Sequence, residues 1–192
     1  MFFQDVNRCL FVWKAPQATM VQIARADAIV TMTQGLRKDG TPSRGDMLFA
    51  DVMRKLHEQF PQKPIIPQEP VALVAPDISY VAVAKPPEGN TLGGSSMAWN
   101  TRTVTSFQAE VCWEHGWKTV ALIAAPWTQT RAKWELERCG LKVVVVPMPP
   151  YTKELYGDPN SIYWYCRGGS IRYLSVEGTR GRAHYLSYWL EK

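Results

Sequence analysis

Three short stretches of this chain bring polar side chains to the end of an apolar run or the start of a helical pattern. They are Thr33-Gln34-Gly35, Asn100-Thr101, and Trp127-Thr128 with Arg131 close behind. A helix N-terminus carries free N–H groups and the positive end of the helix dipole, so it attracts anions. Asn100 and Thr128 are of the types that cap such ends, and capping is the simplest account of both. Arg131 is different, because a cation in the first turn opposes the dipole and needs another reason to be there. An anion held at that turn is such a reason. Gly35 would let the backbone approach a phosphate, and Gly93-Gly94 would do the same, although neither forms a dinucleotide or P-loop motif. Ser43, after the turn-rich Lys38-Asp39-Gly40-Thr41-Pro42, caps a further helix and joins the candidate set. The chemistry these residues suggest is the binding of a small anion.

Other chemistries find less support. His57, His115 and His184 have no serine, cysteine or carboxylate at a spacing that would make a nucleophile and base. Cys9, Cys112, Cys139 and Cys166 form no CxxC pair, which argues against zinc and redox motifs and for small buried hydrophobes. The net charge of +5 suits an acidic partner or an anionic small molecule. No run of basic residues occurs, and the aromatics are not interleaved with lysine and arginine, which argues against a nucleic-acid partner. Hydrophobic residues at 46% and charged residues at 20% are ordinary for a globular domain, and 192 residues suffice for one domain with a real core. No apolar run is long enough for a membrane span and the first residues lack a secretion signal, so a cytoplasmic protein is expected.

The elements that must position these residues follow from periodicity. Ala28 to Met32, Thr119 to Ala125 and Val143 to Val146 are β-branched or wholly apolar runs, as in strands buried on both faces. Phe49, Val52, Met53, Leu56 and Phe60 mark one face of a helix that begins after Ser43 and ends at Pro61. Val104, Phe107, Val111 and Cys112 mark a second helix, stopped by Gly116, and a third begins after Pro126-Trp127 and runs to Cys139, ended by Gly140. Residues 61–70, with four prolines, read as a rigid connector. Val71–Val74 and Tyr80–Ala84 read as two further strands, a possible hairpin. Phe11–Trp13 suggests a short edge strand, and residues 178–191 a final helix. The alternation of strand and helix predicts an α/β sandwich with a largely parallel sheet and helices on both faces. One domain is expected, with a core over 27–147 and an aromatic extension over 148–192 packed on it.

The order of these pieces resembles the domain of unknown function 218 family, of the SanA, YdcF and ElyC type. The likeness rests on the strand Asp27-Ala28-Ile29-Val30, the stretch Asp39-Gly40-Thr41-Pro42-Ser43, the pair Asn100-Thr101, Arg131-Ala132 opening a helix, and Gly140 with the valine strand after it. It implies a Rossmann-like sheet with a polar cleft at its carboxyl edge. The family's glycine-rich end of the first strand becomes Thr33-Gln34-Gly35 here. Its acidic residue and asparagine after the Asn-Thr pair give way to Thr103–Ser106, and its loop histidine to Thr128.

In an open parallel sheet ligands bind outside the carboxyl ends of the strands. The expected function is therefore binding of a small anionic or nucleotide-type ligand, for example S-adenosylmethionine. Thr33, Gln34, Gly35, Ser43, Asn100, Thr101, Trp127, Thr128 and Arg131 would line that site, with the 85–99 loop as a lid. Backbone amides around Gly35 and Thr128 would hold the anion and Arg131 would neutralise it. The replaced family residues motivate two alternatives: a protein-interaction module without catalysis, and a residual transferase or hydrolase.

Overall fold

The computed structural model describes residues 15–86, 100–150 and 152–162 of the 192. The expected strand at 11–13, most of the 85–99 loop and the helix over 178–191 lie outside them, as do Cys9, Cys166 and His184.

Among the described residues, four parallel strands form one sheet in the order β2-β1-β3-β4. They are β1 (Ala28–Thr31), β2 (Ile65–Ile66), β3 (Thr119–Ile123) and β4 (Lys142–Val145). β1 is buried along its whole length, and β3 is buried from its second residue onward. That explains why both read as unbroken apolar runs with no polar face. Their pairing runs in register from Ala28 opposite Val120 to Thr31 opposite Ile123. At the outer edge, β4 meets the segment before the first helix, where Gln17 bridges to Val145.

The helices fall on both faces, as the alternation predicts. Helix α1 (Met20–Ala24) precedes β1, and α2 (Arg44–Gln59) and α3 (Glu69–Val74) flank β2 in sequence. Ile23, Phe49, Met53, Leu56 and Val71 from these helices pack with Ile29, Ile65, Ala121 and Ile123 of the sheet. Helices α4 (Thr101–Glu114) and α5 (Gln129–Arg138) cover the opposite face. There Val104, Ala109, Cys112, Ala132 and Leu136 pack with Val30, Ile66, Val120, Leu122 and Val143. A short α6 (Lys153–Tyr156) returns to α2. Gly116 and Gly140 both take positive φ just past helix ends, the conformation their sequence positions suggest.

Three expectations about this architecture are corrected. Val71–Val74 is helical, not a strand: Pro70 fits the first turn of α3, where it has no N–H to lose, and only one side of the run is buried. Val71 is fully buried while Leu73 is 59% exposed, a pattern of period near four rather than two. Tyr80–Ala84 is not a strand either. It is an irregular return tied down by a parallel bridge from Ala84 to Gln68 and by the Tyr80 hydroxyl donating to the Ala75 carbonyl. The connector 61–70, finally, contains β2. Prolines 64 and 67 flank its two residues, which confines β2 to the edge of the sheet.

Candidate functional site

The strand order reverses direction between β1 and β3. From β1 the chain passes through α2 to β2 on one side, and from β3 through α5 to β4 on the other. This is the topological switch point, and the crevice outside the carboxyl ends of β1 and β3 is where such sheets bind ligands. The loops 32–43 and 124–128 leave the sheet at that crevice. The N-terminus of α4 lies at the same edge, because α4 runs down to the start of β3.

The α2 side of this edge is tightly organised around Asp46. Ser43 caps α2 as expected, and Asp46 answers it in a capping box. One Asp46 oxygen accepts from the Thr33 hydroxyl at 2.7 Å and the Gln34 N–H at 2.8 Å. The other accepts from the Ser43 hydroxyl at 2.8 Å and the Ser43 N–H at 3.1 Å. Asp46 is wholly buried, and loss of solvent pushes its carboxyl up to about 6, although these four bonds favour the charged form. Gln34 turns inward and donates from Nε2 to the Tyr156 carbonyl at 2.7 Å. It also abuts Gly45, where a Cβ would fall 1.5 Å from Gln34 Oε1, so a larger residue there would force the Gln34 amide to move.

Tyr156 closes this side. Its ring is fully buried, 4.9 Å from Trp127 in an edge-on contact and 6.5 Å from Phe49. Its hydroxyl donates to the Pro149 carbonyl at 2.8 Å. Two residues further, Asp158 accepts from the Arg37 guanidinium at 2.8 Å, the Arg44 N–H at 3.1 Å and the Asn160 N–H at 3.0 Å. Burial alone would raise the Asp158 carboxyl, but Arg37 and the two backbone amides hold it below the ordinary carboxylate range. The chain from 156 to 162 thus fastens the 36–44 loop, with Ile162 N–H bonded to the Leu36 carbonyl and Lys38 N–H to that of Asn160.

These contacts correct the expected amide cradle. The Thr33 N–H donates to Gln68 Oε1, the Gln34 N–H to Asp46, and the Gly35 N–H to the Thr33 hydroxyl oxygen. The Thr128 and Gln129 N–H groups both donate to the Ala125 carbonyl. No amide of Gly35 or Thr128 is left to hold an anion. Thr128 also makes no side-chain cap, because its backbone is already helical and its side chain is buried. Ser43, Gln34 and Trp127 are likewise buried and engaged in the fold.

The α4–α5 side is built differently. Asn100 caps α4, its Oδ1 accepting from the N–H groups of Arg102 and Thr103, while Thr103 returns a bond to the Asn100 N–H. Asn100 is exposed and Thr101, Arg102 and Arg131 are partly so. Arg102 pairs with the buried Glu135 of α5 at 3.6 Å, and Arg138 meets the same carboxylate at 3.4 Å. Thr33 is partly exposed at the end of β1, with its hydroxyl donating to Asp46 and accepting from the Gly35 N–H.

Sequence reasoning missed Gln108, which is completely buried on α4. Its Nε2 donates to the carbonyls of Thr31 at 2.9 Å and Ile66 at 3.1 Å, the last residues of β1 and β2. The signal was available. Gln108 falls four residues after Val104 and four before Cys112, within the apolar stripe that marks the buried face. Among the described residues no group of three or more His, Cys, Asp or Glu could hold a metal ion, and no helix is long and apolar enough to cross a membrane. Burial pushes the Cys112 thiol up to about 11, far from a reactive thiolate.

The fold is an all-parallel α/β sheet with polar residues along its carboxyl edge. No family model, curated protein or solved structure matches the chain.

Proposed function

We propose that this protein binds a small anionic or nucleotide-type ligand in the crevice between the carboxyl ends of β1 and β3. The observation that carries the reading is the reversal of strand order at that point, with Thr33, the head of α4 and the first turn of α5 gathered along one edge. Because the loop amides are engaged, the ligand's charge would be met by side chains. Arg131 is the first of these, with Thr33, Asn100 and Thr101 orienting the ligand. The resemblance to the domain of unknown function 218 family points the same way, and S-adenosylmethionine or another nucleotide-like molecule is the class to try first.

A thermal-shift screen against nucleotides, S-adenosylmethionine, sugar phosphates and phosphate tests this. A ligand at a hundred times its dissociation constant adds ~2.7 kcal/mol of stability and moves the midpoint by several degrees. Arg131→Ala should weaken a hit by ~1.5–3 kcal/mol, the worth of a hydrogen bond to a charged group. No shift with any of these ligands would refute the reading and favour an interaction module, for which the closed α2 side of the crevice already speaks.

A further inference from the structure

Two glutamines do the same work on the two halves of the sheet's carboxyl edge, and they differ in one atom. Gln129, at the start of α5, donates from Nε2 to the carbonyls of Ala124 and Val146, each at 3.2 Å, just past β3 and β4. Gln108 donates in the same way to the carbonyls that end β1 and β2. Both side chains are buried. The Oε1 of Gln129 accepts from Gln17 Nε2 at 2.9 Å. The Oε1 of Gln108 is buried and has no hydrogen-bond partner among the described residues.

Rotating the Gln108 amide does not repair this. A flip would turn its oxygen onto two carbonyl oxygens and lose both donated bonds. The orientation is therefore fixed, and what the site lacks is a donor. A buried acceptor left unmade is costly, and those that persist in native proteins call for an explanation. Gln108 lies seven residues, roughly 10 Å at 1.5 Å per residue, down α4 from its exposed N-terminal end. That spacing is of the order of the distance between a nucleotide's phosphate and the far edge of its base.

We infer that Gln108 Oε1 is a specificity-determining acceptor for an N–H donor on the ligand's head group, such as the exocyclic amine of an aminopurine. The inference rests on the proposed anion crevice and adds to it the chemistry of the ligand's other end. A site built to accept such a hydrogen bond rejects an analogue of the same shape that lacks the donor, because the acceptor then stays unpaired.

The test compares adenosine 5′-monophosphate with purine riboside 5′-monophosphate, which lacks the amine, and with pyrophosphate, by calorimetry. The wild-type chain should bind the adenine nucleotide roughly tenfold or more tightly than the purine analogue. In Gln108→Met the ratio should fall to about one, with pyrophosphate binding retained. Side-chain amide resonances give a readout that needs no variant. The Gln108 signal should move with adenosine 5′-monophosphate and stay in place with the analogue. Equal binding of the two nucleotides, an unmoved Gln108 signal, or a preference that survives in Gln108→Met would overturn the inference and leave a water as the partner of Oε1. In those cases pyrophosphate binding would still uphold the crevice. If none of the three probes bound, the crevice reading would fall and this inference with it.

Discussion

The two sides of the carboxyl edge are made from similar residues and put them to opposite uses. On the α2 side, Ser43, Asp46, Thr33, Gln34 and Asp158 bond to one another and to backbone, and Tyr156 seals them from above. On the α4–α5 side, Asn100 is exposed, Thr101 and Arg131 are partly so, and the buried Oε1 of Gln108 on α4 has no partner among the described residues. Polar residues at strand ends are thus not evidence of a site by type alone. What separates the two sides is burial: Ser43, Gln34, Asp46 and Asp158 are closed off from solvent, whereas Asn100, Thr101 and Arg131 reach it.

The largest test of this contrast is to open the sealed side. Tyr156→Ala removes a fully buried ring from between Trp127 and Phe49 together with its hydroxyl bond. It should cost about 3–5 kcal/mol in denaturant unfolding, the range for large aromatic truncations. A loss below about 1 kcal/mol would mean that the seal is loosely packed and that this side is as open as the other.

Asp46 offers a second test, through pH. Its carboxyl titrates near 6 in the folded chain, above the ordinary value of 3.8. The native state therefore binds the proton more tightly than the unfolded state, so stability from this group falls as pH rises from about 4 to 6 and is level above. Relative to Asp46→Asn, the wild-type chain should lose about 3 kcal/mol across that window. Asp158 has the opposite sign, since its carboxyl is held low by Arg37, and its contribution is lost as pH falls. Subtracting the Asn variant at each pH isolates Asp46. A difference that does not change with pH would show the carboxylate to be better compensated by its four donors than its burial suggests.

The smallest effect is expected on the open side. Asn100→Ala removes the cap of α4 but touches no sealed network, and should cost ~1 kcal/mol. A loss of several kcal/mol would place Asn100 in a structure as closed as that around Asp46.

The sequence made the central strands legible because burial on both faces leaves an unbroken apolar run, as in Thr119–Ile123. It made α2 legible because Ser43, a stripe of apolar residues and a terminal proline agree. It misleads at Val71–Val74, where four apolar residues are too few to show a period and Pro70 reads equally as the end of a connector or the first turn of a helix. β2 escaped notice because two residues between prolines carry no pattern at all. At the candidate site, residue types were informative about position but not about occupancy. Nothing local in Gln34 or Gly35 tells that their amides are matched by Asp46 and Thr33, since those partners are set by how the loop folds back on α2. Tyr156, distant in sequence, could be recognised only as one of many C-terminal aromatics.

The paired glutamines have a consequence for how the sheet opens. Strand ends are ordinarily among the first parts of a sheet to exchange with solvent deuterium, because they open locally at little cost. Here Gln108 ties the ends of β1 and β2 to α4, and Gln129 ties those of β3 and β4 to α5. Exposure of any strand end then requires its helix to lift as well. The carboxyl edge should exchange as one cooperative unit with those two helices, and the slowest side-chain amide protons in the molecule should belong to Gln108 and Gln129.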